Sequence, residues 1–141
     1  MDSTIHDYRL TRGFHLMEML AVLAIISIVT TFAIPLYSQY LVHTRRLEAA
    51  GSLSRLALAM EQYHIEHNTY QGATLTDLHF PETIAKNNYQ LTIFSTDTNA
   101  FLLAANPLGK QAEKDQSCAV LTLHSNGEKG ISGPGKVDEC W

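Results

Sequence analysis

The chain has 141 residues, a length that suits one modest domain. Its formal net charge is -4, and hydrophobic residues make up 45% of it. This acidic balance gives no electrostatic reason to expect nucleic acid as the principal ligand, because binding to phosphates depends on basic residues. The charges are unevenly placed: between Arg12 and Arg45, Glu18 is the only formally charged residue.

The first predicted element is an apolar segment near the N-terminus. Residues 14–35 would extend about 33 Å as a helix, close to the roughly 30 Å hydrocarbon core of a bilayer. A soluble helix of this composition would need apolar neighbours on every face. A cleaved secretory signal would end in small residues, whereas this run ends in Ile34-Pro35. The pattern favours a retained membrane helix with Arg9 and Arg12 on the cytoplasmic side.

Two residues of this segment require a physical explanation. Pro35 lacks the backbone N–H of a helix interior, which predicts a kink or a locally melted turn near residues 31–35. Glu18 would be costly in a membrane, at about 2.5–3.5 kcal/mol for a charge at a helix centre. It therefore needs a partner, and His15, three residues earlier on the same helical face, is one candidate.

The stretch RGFHLMEMLAVLAIISIVTTFAIP resembles the class III signal of type IV prepilins. In that family a polar leader ends in glycine and is followed by phenylalanine, by a glutamate at the fifth mature position, and by an apolar helix containing proline. Gly13, Phe14, Glu18 and Pro35 occupy those positions. The resemblance implies cleavage between Gly13 and Phe14 by the prepilin peptidase, and methylation of the new Phe14 amine.

The resemblance also implies a role for Glu18. Cleavage would place the amino group of Phe14 in apolar surroundings, where a charge requires a partner. In a filament of staggered subunits, Glu18 of one subunit can meet the Phe14 amine of its neighbour. Such a pair would set the register, as buried polar residues do in coiled coils. Glu18 is then an assembly residue rather than a catalytic acid, and local pairing with His15 remains the alternative.

The helix is predicted to resume after Pro35 and to end near His67, before Asn68-Thr69. An apolar stripe follows helical spacing along this second half, and charged and polar residues such as Arg46 and Ser52 fall largely elsewhere. The stripe consists of Ala49, Leu53, Leu56, Met60 and Tyr63.

Beyond the helix, residues 68–88 are predicted to be an irregular connection with one short helical turn. Alternating patterns predict strands over 89–93, 101–105 and 119–123, with a turn at Asp97-Thr98-Asn99 between the first two. Glycines from Gly127 onwards predict turns and short extended pieces. These elements indicate an α+β fold with a three- to four-stranded antiparallel sheet, which is also the type IV pilin fold that the resemblance implies.

Two cysteines, Cys118 and Cys140, lie near the C-terminus. They are either unrelated thiols or a disulfide, and the membrane segment together with the absence of metal-ligand spacing favours a disulfide in an oxidising compartment. The last part of the chain, from ANPLGKQAEKDQSCAV to the terminal Cys-Trp, resembles PilE-like minor pilins. In pilins the disulfide-bounded region, here 118–140, is exposed on the filament.

Residues with catalytic or metal-binding potential do not form a complete set. The stretch EQYHIEH contains Glu61 and His64 in a Glu-x-x-His pattern, but carboxylate-bridged metal sites need a second such motif on a facing helix. The C-terminal glycines do not lie between a strand and a helix, so they are turn residues rather than a phosphate cradle. We expect no enzyme, no metal and no cofactor.

The sequence therefore predicts a cleaved leader (1–13), a membrane and assembly helix (14–37) and a periplasmic domain (38–141). The resemblance implies a structural, minor subunit of a type IV pilus that contributes to assembly, twitching motility and adhesion. Expected partners are other pilins, the prepilin peptidase and the inner-membrane assembly machinery. The alternatives are a DNA-uptake receptor, a tip adhesin or a type II secretion pseudopilin, although acidic residues interleave with the C-terminal lysines and make DNA binding the weaker hypothesis.

Overall fold

The computed structural model describes residues 15–141, so the predicted leader and the Gly13–Phe14 junction lie outside the described residues. Residues 15–141 form three helices and five strands, and the chain divides into two compact units between Tyr37 and Ser38. In chain order the elements are α1 (Leu16–His67), β1 (Thr83–Ile84), β2 (Tyr89–Thr96), β3 (Phe101–Pro107), α2 (Gly109–Lys114), β4 (Leu121–His124), β5 (Lys129–Ile131) and α3 (Val137–Cys140).

The described part of the N-terminal unit consists of His15 and α1 up to Tyr37. Among the described residues, α1 is the helix that is long and apolar enough to cross a membrane, and none of its most apolar window is buried. The helix continues through Pro35. The locally melted turn considered near residues 31–35 is therefore not observed, whereas the kink at Pro35 stays a prediction.

The remainder of α1 belongs to the second unit and packs through the predicted stripe. Ala49, Leu53, Leu56 and Met60 are fully buried, while Tyr63 is half-buried. The helix ends after His67, as predicted, because Asn68 adopts a left-handed conformation with φ 56°. The Asn68 N–H donates to the His64 carbonyl at 2.7 Å and so satisfies one carbonyl of the last turn.

The strands of the second unit form an antiparallel sheet in the order β1-β2-β3-β4-β5. The predicted turn joins β2 to β3, with the Asp97 carboxylate accepting from the N–H groups of Asn99 and Ala100 at 2.7 Å each. Residues 15–141 thus contain five strands rather than the predicted three to four. The additional strands were missed because β1 has two residues and β5 is a Lys-Gly-Ile segment, too short and too polar to show alternation.

The buried face of α1 and the inward side chains of the sheet form one hydrophobic core. Its largest fully buried apolar side chains come from both layers: Leu53, Leu56, Met60, Tyr89, Leu91, Leu103 and Leu121. Burying an aliphatic side chain of this size contributes roughly 1.5–3 kcal/mol, so this interface is the main source of stability of the domain. The result is the predicted α+β arrangement of a helix on an antiparallel sheet.

The C-terminal region contains the Cys118–Cys140 disulfide. It also contains α2 and α3, which the sequence did not predict because helices of six and four residues carry too few positions for periodicity. Between the cysteines, the backbone passes so close to Ser117 that a Cβ at Gly133 would collide with the Ser117 carbonyl. The segment between the cysteines is therefore held by the disulfide and by close backbone contacts, in addition to the packing of Leu121 and Leu123 in the core.

Candidate functional site

The N-terminal unit carries two of the predicted assembly residues, Glu18 and Pro35, on α1. The Glu18 N–H donates to the His15 carbonyl at 2.9 Å, so His15 begins the backbone hydrogen bonding of the helix. A carboxylate in the first helical turn is favoured by the helix dipole. Among residues 15–141 the ion pairs are Arg46–Asp115 and Lys136–Glu139, so the His15–Glu18 side-chain pair considered from the sequence is not formed.

The surface around Glu18 is almost entirely apolar and exposed. Large hydrophobic side chains of residues 16–37 are between 44% and 77% exposed, with Val22 and Leu16 at the two limits. The few hydroxyl groups are satisfied within the helix: Ser27 donates to the Leu23 carbonyl at 2.7 Å and Thr31 donates to the Ser27 carbonyl at 2.8 Å. A helix with internally satisfied polar groups and an apolar exterior suits an environment without water.

The second unit contains a buried polar cluster that was not predicted. Asp115, the residue after α2, accepts two hydrogen bonds from the Arg46 guanidinium, at 2.7 and 3.0 Å. Its carboxylate also accepts from the Tyr89 hydroxyl at 2.9 Å and from the Gln111 amide at 3.0 Å. Gln111 in addition donates to the Val42 carbonyl at 3.1 Å. The cluster thereby connects α1, α2 and β2.

Burial determines the chemistry of this cluster. Asp115 is 1% exposed and Tyr89 is fully buried. Burial raises the pKa of the Tyr89 hydroxyl above its usual range, and the hydrogen bond to Asp115 raises it further, although the Gln111 amide acts in the opposite direction. Tyr89 therefore remains a neutral donor. A charged pair with this many hydrogen bonds meets the requirement that a buried ion pair be fully compensated.

This cluster corrects one interpretation of the sequence. Asp115 is one of the acidic residues that interleave with the C-terminal lysines, a pattern that predicts a solvated mixed-charge surface, and Arg46 and Ser52 were predicted to lie largely away from the buried stripe. In the structure Asp115 and Ser52 are buried, and the Arg46 side chain is 13% exposed. Helical spacing could have found Arg46, because it precedes Ala49 and Leu53 by three and seven residues and so shares their face.

The histidine-containing end of α1 is organised by stacking. The Tyr63 and His67 rings are stacked at 4.1 Å, and the His64 and Tyr70 rings at 4.3 Å. The Tyr70 hydroxyl donates to both oxygens of Glu61 at 3.0 Å. Burial raises the pKa of Tyr70, with the Glu61 hydrogen bond and charge acting in the same direction. The contacts of Tyr70 with His64 and Glu61 hold the connection after α1 against the last turns of the helix.

Two lysines of the disulfide-bounded region already have partners. The Lys129 ammonium lies 5.1 Å from the centre of the Trp141 ring, and Lys136 lies 3.6 Å from the Glu139 carboxylate. The Trp141 indole N–H donates to the Gly130 carbonyl at 3.0 Å. Positive charge in this region is therefore balanced locally by an aromatic face and by acids.

An exposed apolar N-terminal helix, its continuation packed on an antiparallel sheet, and a disulfide near the C-terminus together define a type IV pilin. Residues 35–122 match the family model described as "Type IV minor pilin ComP, DNA uptake sequence receptor". The chain belongs to this family of type IV minor pilins.

Proteins similar to the chain include a major fimbrial subunit and a minor pilin. The type IV major fimbrial protein FimA of Dichelobacter nodosus is 30% identical over 122 residues, which cover 84% of this chain and 70% of that protein. The crystal structure of the non-core minor pilin PilV of Neisseria meningitidis matches with a TM-score of 0.50 and 23% identity, over 64% of this chain and 89% of that chain. The second comparison concerns the fold alone.

Proposed function

We propose that this minor pilin is anchored in the bacterial inner membrane by residues 14–37, with residues 38–141 in the periplasm, and that it then becomes part of an extracellular filament. The observation that carries this proposal is the exposed apolar surface of α1 before Ser38. An uncovered surface of this extent requires either lipid or the equivalent helices of other subunits. The two environments suit the two stages of the proposed pathway.

Processing is part of the same proposal. The prepilin peptidase cleaves between Gly13 and Phe14, the Phe14 amine is methylated, and inner-membrane assembly proteins transfer the subunit to the filament. Glu18 then pairs with the Phe14 amine of a neighbouring subunit and sets the register. Support for this role comes from the exposure of Glu18 on an apolar helix and from the lack of an ion-pair partner for it among residues 15–141.

Pilin families are structural rather than enzymatic, and we propose the same for this chain. Its contribution is to pilus assembly and, through the filament, to twitching motility and adhesion. The test is deletion of the gene with complementation by the wild-type chain or by Glu18→Ala. We expect fewer surface pili in the deletion strain, recovery with the wild type, and no recovery with the variant. Unchanged pilus numbers and motility in the deletion strain would contradict the proposal.

A DNA-uptake receptor is the second candidate, favoured by the description of the matching family model. The charge pattern argues against a DNA receptor, because the formal net charge of the chain is -4 and because Lys129 and Lys136 already have local partners. Binding of residues 38–141 to duplex DNA across a range of salt concentrations distinguishes the candidates. A receptor would bind with a steep salt dependence. A Lys129→Gln variant tests whether the disulfide-bounded region is involved, with Lys86→Gln as a control of equal charge.

A further inference from the structure

A cavity of about 310 Å³ lies at the start of the second unit. It is lined by three residues of one turn of α1 and two basic residues: Ser38, Gln39, Val42, Arg46 and Lys114. Its volume is at the lower end of the range for small-molecule sites, roughly 300–1,000 Å³. The lining consists of hydrogen-bond donors and cations around one apolar side chain, which suits a small anionic group.

Lys114 is the cation of this cavity that can bind a ligand. Its ammonium donates to the Ser38 hydroxyl at 2.6 Å, which draws the end of α2 toward α1. An ammonium has three donors, and this hydrogen bond uses one of them. The Lys114 residue is exposed, so the other donors are directed to solvent or to a ligand.

The charge around the cavity is positive although the chain as a whole is acidic. Asp115 neutralises Arg46 through the bidentate pair and is fully hydrogen-bonded, so it leaves the Lys114 charge uncompensated. Residues 38–46 contain Arg45 and Arg46 and no acidic residue. Glu113 is exposed on the same helix as Lys114, about 100° around the axis from it.

The position of the cavity along α1 indicates what the anion is. Ser38 follows the last residue of the predicted membrane segment. At 1.5 Å per residue, Val42 lies about 7.5 Å beyond Tyr37 along the helix axis. That distance matches the headgroup layer of one leaflet, roughly 5–8 Å thick from the total and hydrocarbon thicknesses of a bilayer. The cavity is thus at the depth of the lipid phosphates.

We propose that the Ser38–Lys114 cavity binds the phosphate of an anionic phospholipid headgroup at the periplasmic surface of the inner membrane. Lys114 supplies the charge, and Ser38 and Gln39 supply hydrogen bonds. This inference rests on the proposed membrane anchoring, since the cavity reaches lipid phosphates only when α1 is inserted. The contact holds the periplasmic domain on the membrane surface until the subunit is extracted into the filament.

The test uses the full mature chain in nanodiscs of phosphatidylethanolamine, with and without phosphatidylglycerol. Native mass spectrometry after release into a neutral detergent measures the phosphatidylglycerol retained by each protein. We expect Lys114→Gln to retain about fivefold less than the wild type, the loss that corresponds to one basic residue at an anionic membrane surface. Lys114→Arg should retain the lipid. Lys110→Gln, an exposed lysine on the same helix, is the matched control and should behave as the wild type.

Equal lipid retention by wild type and Lys114→Gln would overturn the inference, and so would an equal loss in Lys110→Gln. Co-elution of the chain with the nanodiscs is measured separately, so that a failure of membrane anchoring is distinguished from a failure of lipid binding. If Lys114→Gln lowers incorporation into sheared pili while lipid retention is unchanged, the cavity binds a neighbouring subunit and the lipid proposal is wrong.

Discussion

The Arg46 guanidinium and the Asp115 carboxylate, 69 positions apart in the chain, form two hydrogen bonds at 2.7 and 3.0 Å beneath the surface of the second unit. Hydrophobic packing holds α1 against the sheet but is not directional. A bidentate pair has one geometry, and it fixes the position of the segment after α2 relative to a particular turn of α1. The pair therefore sets the position of the segment after α2 relative to α1, in addition to contributing to stability.

Removal of one partner is expected to be costly. Asp115→Asn leaves the Arg46 charge partly buried and uncompensated, which should lower the free energy of unfolding of residues 38–141 by about 3–5 kcal/mol. Urea denaturation measures this change. Glu113→Gln, two residues earlier and exposed, is the control and should change stability by less than about 0.5 kcal/mol.

The double variant Arg46→Met, Asp115→Asn tests whether the loss comes from the unpaired charge. It contains no buried ion at this site, and the amide oxygen introduced by Asp115→Asn can still accept a hydrogen bond from Tyr89. We expect it to be less destabilised than the sum of the two single variants, with a coupling of about 0.5–3 kcal/mol. Additive losses would show that the two residues stabilise the fold independently.

Alkaline pH should destabilise the domain through Tyr89. Burial raises the pKa of its hydroxyl in the folded state, whereas in the unfolded chain it ionises near pH 10. The stabilising contribution is therefore complete below about pH 10 and is lost as the pH rises above that value. Denaturation at increasing pH should show this loss for the wild type and a shallower one for Tyr89→Phe. Tyr70→Phe is the comparison, because the pKa of Tyr70 is raised in the same direction.

Loss of the disulfide should destabilise the domain by about 2–5 kcal/mol in Cys140→Ser, because the unfolded chain is no longer constrained. Thermal or urea unfolding measures this effect. The double variant Cys118→Ser, Cys140→Ser should be no less stable than Cys140→Ser alone, since the bond is already absent. A substantially larger loss in the double variant would mean that the packing of the Cys118 side chain contributes in addition to the bond.

The membrane form of the protein should begin at Phe14 with a methylated amine. Top-down mass spectrometry of the membrane fraction and of sheared pili measures both features. The motivation is the polar leader that ends in Gly13, followed by the apolar helix. Residues 1–13 found intact on assembled subunits would contradict the prediction.

Glu18→Ala should leave cleavage, membrane insertion and the periplasmic domain unchanged and should lower incorporation into pili. The physical reason is that a neighbouring Phe14 amine would be buried without a partner, at a cost of about 3–5 kcal/mol. Glu18→Gln keeps some hydrogen bonding and should be less impaired than Glu18→Lys, which brings two cations together. Immunoblots of precursor, mature protein and sheared pili measure these steps.

His15→Ala is the matched control for Glu18. If Glu18 pairs between subunits, this variant should assemble almost normally. If His15 were the true partner, it would reproduce the defect of Glu18→Ala. Normal incorporation of Glu18→Ala into pili would contradict the proposal that Glu18 sets the register between subunits.

The parts of the fold that follow long periodic patterns could be predicted from the sequence. The stripe through Ala49, Leu53, Leu56 and Met60 is buried as expected, and α1 ends at His67. Strands β2 and β3 and the Asp97 turn are also where alternation and turn residues indicate them. Each of these elements has enough residues for its period to be visible.

The elements that escaped prediction depend on tertiary contacts. Strand β5 exists because it pairs with β4, and its own three residues carry little information. The cluster around Asp115 was missed for a related reason: its members come from α1, β2 and α2, and no local pattern brings them together. The one sign of this cluster in the sequence was Arg46, because its helical spacing places a charge on the buried face of α1, where a charge needs a partner.

The sheet edges have a consequence for the proposed membrane-anchored subunits, which would be held at high local concentration before assembly. Open backbone edges are templates for uncontrolled joining of one chain to another. Here the edge strands β1 and β5 have two and three residues, and the Trp141 indole N–H already occupies the Gly130 carbonyl on β5. Amyloid-like strand addition is thereby disfavoured, so in the proposed pathway polymerisation would depend on the N-terminal helix and on the machinery that controls when that helix leaves the lipid.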